Sequence, residues 1–379
     1  MRKKIKFSFI MVILIFFNIN SALGKIKTSD NLIDGVRATV IDILSNSEKE
    51  IIEGNRDLKV KEQRAEVLIT SGSYKGEKLV VENIIDDSIE DSFILNKGDN
   101  ILISIEEKDG KIAKAYIYEF VRDKYLVYLT VLFIVLMIAI GGFKGLKSVL
   151  TLTLTIIITI GLLPILLIKG YNPIITSLAI SFVITIINLT TINGFNRKTI
   201  AAIIGTSGGI AVSGAITLIM NSVAKLSIYG SEEGQMMIYS PQNINLDYRG
   251  FLFSAILIGA LGALMNISMS IASAMKQIEE VNPNVSTFKL IKSGMSVGRD
   301  IMCTMCNTLI LAYIGASLLS VTMLITYNVS FFQIINQSFI ATEIVRALAG
   351  GIGLIATIPI TVITSGILRN NEVKRNLRI

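Results

Sequence analysis

Histidine and tryptophan are absent from the 379 residues, cysteine occurs twice and proline five times. Without histidine the commonest general base and the commonest imidazole metal ligand are gone. Any metal would have to be held by carboxylates, carbonyls or thiolates, and no cluster of these suggests a cofactor. The two cysteines, Cys303 and Cys306, form a single CxxC, so residues 25–120 fold without a disulfide. A redox role for the CxxC would need a second thiol pair or a quinone site, and a lone CxxC is a weak signal. Charge is also scarce: 17% of residues are charged, against about 25% in soluble domains.

What replaces charge is apolar residue, and unevenly. Hydrophobic residues make up 51% of the chain and the mean hydropathy is +0.62. Residues 25–124 are rich in Lys, Glu and Asp, whereas 125–368 are mostly Ile, Leu, Val, Ala, Gly, Ser and Thr. The sequence therefore predicts two parts in two solvents, a polar N-terminal domain and a bundle in a lipid bilayer. The formal net charge is +7. Its basic residues sit in short loops between apolar runs, not in one patch, which argues against a nucleic-acid partner.

Arg2, Lys3, Lys4 and Lys6 precede the apolar run Phe7 to Phe17, and Ala22-Leu23-Gly24 follows with small residues. This is the pattern of a secretory signal over residues 1–24, either cleaved or kept as an anchor. Residues 25–120 then read as five or six short strands. They include 36–41, the alternating 64–70, 77–82, 100–105 and 113–120, with turns at Ser71-Gly72-Ser73, Lys97-Gly98-Asp99 and Lys108-Asp109-Gly110-Lys111. The expected fold is a small barrel of OB or SH3-like size, serving as a spacer or docking module.

About twenty apolar residues cross a bilayer as a helix. Seven runs qualify: 125–140, 149–168, 174–192, 200–223, 251–275, 302–325 and 344–368. The fold class expected is thus mainly α, a polytopic bundle carrying an N-terminal β-barrel. With residues 25–120 outside, the inner loops and the tail 369–379 hold twelve basic residues and the outer loops three. That bias predicts an extracytoplasmic barrel and a cytoplasmic C-terminus. Between the fifth and sixth runs, Ser286 is placed to cap a short amphipathic helix with Phe288, Leu290 and Ile291 apolar and Lys289 and Lys292 charged, suited to the inner interface or to a cytosolic partner.

Ionisable and amide side chains in apolar runs are costly and need a reason. Asn266 lies mid-way along the fifth run. Arg299 and Asp300 open the sixth, followed by Thr304, Asn307 and Thr308 at helical spacing. Glu343 and Arg346 open the seventh, three apart on one face. Asn266, Arg299, Asp300, Asn307, Thr308, Glu343 and Arg346 are candidates for a solute or ion path. Ion pairs at helix ends and interhelical hydrogen bonds, the latter especially for Asn188, account for them equally. Gly205, Gly209, Gly259, Gly262, Gly350 and Gly353 are expected to pack helices closely.

Several stretches carry a resemblance. They are Gly142 to Ser148; Asp247-Tyr248-Arg249-Gly250 leading into Gly259-Ala260-Leu261-Gly262-Ala263; Met269 to Ala274; Ser293 to Met302; and Asn307 to Gly315. Over roughly 95–368 the chain resembles the YibE/F family of bacterial membrane proteins, which implies a multi-pass protein of the bacterial cytoplasmic membrane without implying a biochemical activity. Asn266 stands where the family pattern has Asp, and Cys303 where it has Gly.

Three functions follow as expectations. A transporter or permease for a small solute or ion is favoured by the glycine-rich helices and the polar residues of the last three runs. An assembly or accessory protein would use the barrel and the inner amphipathic helix to bind partners, as a homo-oligomer or with another membrane protein. An enzyme is disfavoured, because no nucleophile–base set appears.

Overall fold

A computed structural model of the protein describes residues 32–53, 56–86, 94–108, 111–227 and 247–376. The predicted signal at 1–24 lies outside the described residues. The chain divides into two compact units, 1–136 and 137–379.

The first unit holds a closed barrel of five strands in the order β1-β2-β3-β5-β4: β1 Leu32–Glu53, β2 Arg56–Ile69, β3 Lys78–Asp86, β4 Asn100–Lys108 and β5 Lys111–Phe120. Each predicted strand coincides with one of them, with 64–70 and 77–82 overrunning β2 and β3 by one residue. Alternation does the work: Ala65, Val67 and Ile69 point inward beside Ile101, Ile103 and Ile105, all essentially without exposure. Shifts of register at Val40/Asp42 and Ile43/Ser45 mark bulges that bend β1, so one long strand serves two partners. Lys108 pairs Lys111, as a two-residue hairpin loop requires. The buried Gln63 amide donates to Leu95 O at 3.0 Å and accepts from Leu95 N at 2.8 Å, pinning a segment that has no strand partner of its own.

Among the described residues, six helices are long and apolar enough to cross a membrane. The first runs from Asp123 to Ile168, as α1 Asp123–Ile156, a π-helical stretch Ile157–Leu162 and α2 Leu163–Ile168. Straight, it would measure about 69 Å, twice the hydrocarbon thickness. It is not straight: Gly142 has φ 54 and ψ −133, backbone that only glycine adopts readily, and a Cβ on Gly145 would overlap the Met137 carbonyl eight residues earlier. In a continuous helix those residues stand about 12 Å apart. The predicted first and second spans are therefore the two arms of one helical stretch. The π stretch precedes Pro164, whose missing N–H breaks the regular ladder.

The remaining helices are α3 Pro173–Asn193, α4 Arg197–Val223, α5 Tyr248–Val281, α6 Thr287–Thr326, the short α7 Phe331–Asn336, and α8 Ser338–Asn376. One expectation is corrected here. Residues 287–292 do not form a separate interfacial helix. They are the first turns of α6, with Leu290 buried, Ile291 against Gly366 and Gly294 against Met275. Ser286 does cap this start, accepting from Lys289 N at 3.4 Å. α7, not foreseen, is held by a capping box of Ser330 and Gln333.

α5 is the central helix, packed by α3, α4, α6 and α8. Phe253, Leu257, Leu264, Ile267 and Ile271 meet Ile210, Leu354 and Ile358 in the main core. α4 and α8 cross at nearly bare backbone. A Cβ on Gly209 would overlap the Thr357 hydroxyl and come 2.8 Å from Gly353 O, and one on Gly205 would overlap Thr361. Buried hydroxyls bond across helices, Ser177 to Ser254 at 2.5 Å and Thr206 to Ser268 at 2.6 Å. Asn188 donates to Thr155 at 2.8 Å, an interhelical bond of the expected kind.

Candidate functional site

Polar side chains gather at two places in the bundle and run bare along two helix faces. The first gathering is at the end where α4 begins and α5 and α8 finish. Asn196 caps α4 by accepting from Thr199 N at 3.1 Å, which sets Arg197 and Lys198 in the first turn, where the helix dipole disfavours cations. Glu279 of α5 offsets this at 3.9 Å from Arg197. Arg369 of α8 is 94% buried, its side chain only 6% exposed. It donates to Val285 O at 2.6 Å and Pro283 O at 2.8 Å and pairs with Glu279 at 3.4 Å. The pocket between Arg197, Lys276, Glu279, Ser365 and Arg369 holds about 30 Å³, room for about two waters. So small a space suits a clamp joining helix ends better than a binding site. Neither Arg369 nor Glu279 stood out in the sequence; Arg369 read as the start of a tail.

The second gathering lies where α8 meets α6. Glu343 and Arg346 pair at 2.9 Å, and their side chains are 23% and 25% exposed. The guanidinium sits 5.9 Å from the centre of the Tyr313 ring. The Arg346 Nε and the Tyr313 hydroxyl are buried without a hydrogen-bond partner among the described residues. Tyr313 was missed as a site residue, although a lone phenol in an apolar run was a usable signal. Its hydroxyl occupies the space that a side chain at Gly259 of α5 would need, 2.5 Å from that Cβ position.

From Gly259 an open face continues along α5. Ala255, Gly259, Gly262, Asn266 and Ser270 recur every three or four residues and all are exposed. Gly262 has nothing within 4 Å, so unlike Gly205, Gly209, Gly350 and Gly353 it packs against no neighbour. The face spans 16 residues, about 22 Å of helix. On α6, Arg299, Asp300, Cys303, Thr304, Asn307 and Thr308 are likewise exposed. Thr304 and Thr308 bond back to Ile301 O and Thr304 O. Asn266, Arg299, Asp300 and Asn307 have no partner among the described residues. The structure thus brings Glu343 and Arg346 together and leaves the other five candidates on open helix faces.

Profiles of two protein families match the chain, the YibE/F-like protein over residues 129–371 and the YibE/F family N-terminal domain over 31–120. The chain belongs to the YibE/F family. The two matched regions follow the division between bundle and barrel. No curated protein and no solved structure matches the chain. As in an α/β-hydrolase elbow, Gly205-Thr206-Ser207-Gly208-Gly209 of this YibE/F member spells GxSxG. It lies inside α4 rather than on a strand–turn–helix, so the context that would give the motif meaning is missing.

Proposed function

We propose that this YibE/F protein is a permease of the bacterial cytoplasmic membrane, passing a small solute or ion along the open face of α5 without making or breaking covalent bonds. The observation that carries the reading is the run Ala255, Gly259, Gly262, Asn266 and Ser270. It is small, exposed and about three quarters as long as the hydrocarbon layer is thick, with an unpartnered amide part-way along it. Small residues let a solute approach the backbone, and Asn266 offers both a donor and an acceptor. Tyr313 and Arg346 flank one end with unsatisfied donors. In the adopted orientation that end faces outward, the barrel is extracytoplasmic, and Arg197, Lys198, Lys276 and Arg369 mark the cytoplasmic end.

The test is flux into liposomes containing the purified full chain, over a panel of labelled inorganic ions and small metabolites. At least one should enter faster than into empty liposomes, and Gly262→Leu, which fills the face without touching the core, should cut that flux at least tenfold. Wild-type flux equal to empty liposomes across the panel, or an unaffected Gly262→Leu, removes the reading.

A second reading, an accessory protein that docks a partner through its barrel, is favoured by one observation. Val80 and Ile84 of β3 and Tyr116 and Tyr118 of β5 are all about half exposed or more. They flank the seam where the two strands share a single paired position, Glu82 with Tyr116. A weakly closed seam between apolar side chains is a surface a partner strand can use. Loss of the cellular phenotype on Tyr118→Glu, together with wild-type flux no greater than that into empty liposomes, would favour it over the permease.

A further inference from the structure

The exposed face of α6 poses a problem that α1 does not. Both helices are nearly bare: the most apolar stretch of the first is 0% buried and that of α6 is 6% buried. The apolar arm of the first needs no polar partner: it carries Leu, Val, Ile, Phe and Thr130, the last already bonded to Leu126 O. On α6 the bare face includes the Asn307 side chain, which has no hydrogen-bond partner among the described residues. It stands about 8 Å inside the apolar run 302–325, where lipid tails offer nothing to an amide.

The pattern along that face identifies what covers it. Thr304, Asn307, Leu311, Ile314 and Leu318 are spaced three, four, three and four, and every one is exposed, with Leu311 at 65%, Ile314 at 54% and Leu318 at 59%. This is the 3.5-residue repeat of a coiled-coil seam, with one amide among apolar knobs. The flanking positions Cys303, Thr308, Gly315 and Ser317 are small, which lets two backbones come close. Asn is also self-complementary: about a two-fold axis its amide donates to, and accepts from, the same amide of a second copy. Asp300 continues the repeat one turn further, where its own copy would repel it, so contact begins at Thr304.

We propose that two copies of the chain pair in parallel through α6, along a left-handed seam of Thr304, Asn307, Leu311, Ile314 and Leu318 with Asn307 bonded to Asn307 across the axis. The occupant is a second copy because a two-fold seam satisfies a lone amide with no other sequence required. This assignment is independent of the permease reading and reassigns Asn307 from solute path to interface.

The test uses the full chain in native membranes on a Cys303→Ser/Cys306→Ser background, with single cysteines placed along α6 and oxidised by copper-phenanthroline. The single-cysteine positions are all exposed, so they leave the bundle core untouched, and the partly buried Cys306 is replaced by a side chain of similar size. Disulfide-linked dimer should be strong for Thr304→Cys, Leu311→Cys and Leu318→Cys, and at least fivefold weaker for the off-seam exposed positions Ala312→Cys, Ala316→Cys and Leu319→Cys. Asn307→Leu added to Leu311→Cys should lower the dimer yield about three- to tenfold, as expected for loss of the interhelical amide pairing, and Asn307→Gln should retain most of it. Dimer yields without this periodicity, no dimer at any position, links to a different protein, or an unchanged yield in Asn307→Leu would each overturn the proposal.

Discussion

At the scale of single residues, the small side chains of the bundle divide into those that fill a contact and those that leave space. Gly209 is of the first kind: any Cβ there meets the Thr357 hydroxyl, Gly353 O at 2.8 Å and a Leu264 methyl at 2.9 Å. Backbone and a packed methyl cannot all yield, so Gly209→Ala should destabilise the bundle by about 1–3 kcal/mol, the usual cost of overpacking. Gly262, with nothing within 4 Å, is of the second kind, and Gly262→Ala should change stability by less than about 0.5 kcal/mol. Thermal unfolding of the two variants in the same detergent separates them. Equal shifts would show that the α4–α8 crossing is looser than described. Both glycines sat in glycine-rich runs and looked alike in the sequence, because periodicity reports which residues share a face and not how close the neighbouring helix comes.

At the scale of elements, the helix ends show most clearly what sequence makes legible. Strand positions in the barrel followed from alternation, and the membrane helices from apolar runs of bilayer length; both signals are local. The Arg369 clamp was not legible, because it joins α4, α5, the 283–285 turn and α8 across large sequence separations. Removing Glu279 leaves a guanidinium that is 94% buried without its carboxylate, and breaking such a pair costs about 3–5 kcal/mol. Glu279→Ala should therefore lower the unfolding midpoint more than Glu280→Ala, whose carboxylate is 63% exposed beside Lys276 and contributes at most about 1 kcal/mol. Similar midpoints for the two variants would mean that the backbone carbonyls alone hold Arg369. The joint at Gly142 is the other element-scale feature. With φ at +54, Gly142→Val should cost about 1–3 kcal/mol of backbone strain, read as a lower yield of folded protein and a lower midpoint.

At the scale of the whole molecule, two cores are built by two solvents. The barrel core is Val36, Ala38, Val40, Ala65, Val67, Ile69, Val81, Leu95, Ile101, Ile103 and Ile105. Water drives its burial, as in any small soluble domain. The bundle core is central in α5 and relies on close packing and hydroxyl bonds, because lipid gives helices no hydrophobic reason to associate. Two cores with no shared residue should respond separately to mutation. Ile103 is fully buried, so Ile103→Ala should cost the barrel about 2–5 kcal/mol and leave the bundle's transition where it is. Gly209→Ala should do the reverse. In the double variant the two losses should add to within about 0.5 kcal/mol. Hydrogen exchange followed by mass spectrometry on the full chain reads each region separately: faster exchange in 100–108 with unchanged protection in 197–223 is the outcome expected of Ile103→Ala. Simultaneous loss of protection in both regions would show that barrel and bundle unfold as one cooperative unit, and a barrel so coupled could transmit partner binding to the helices that carry the proposed path.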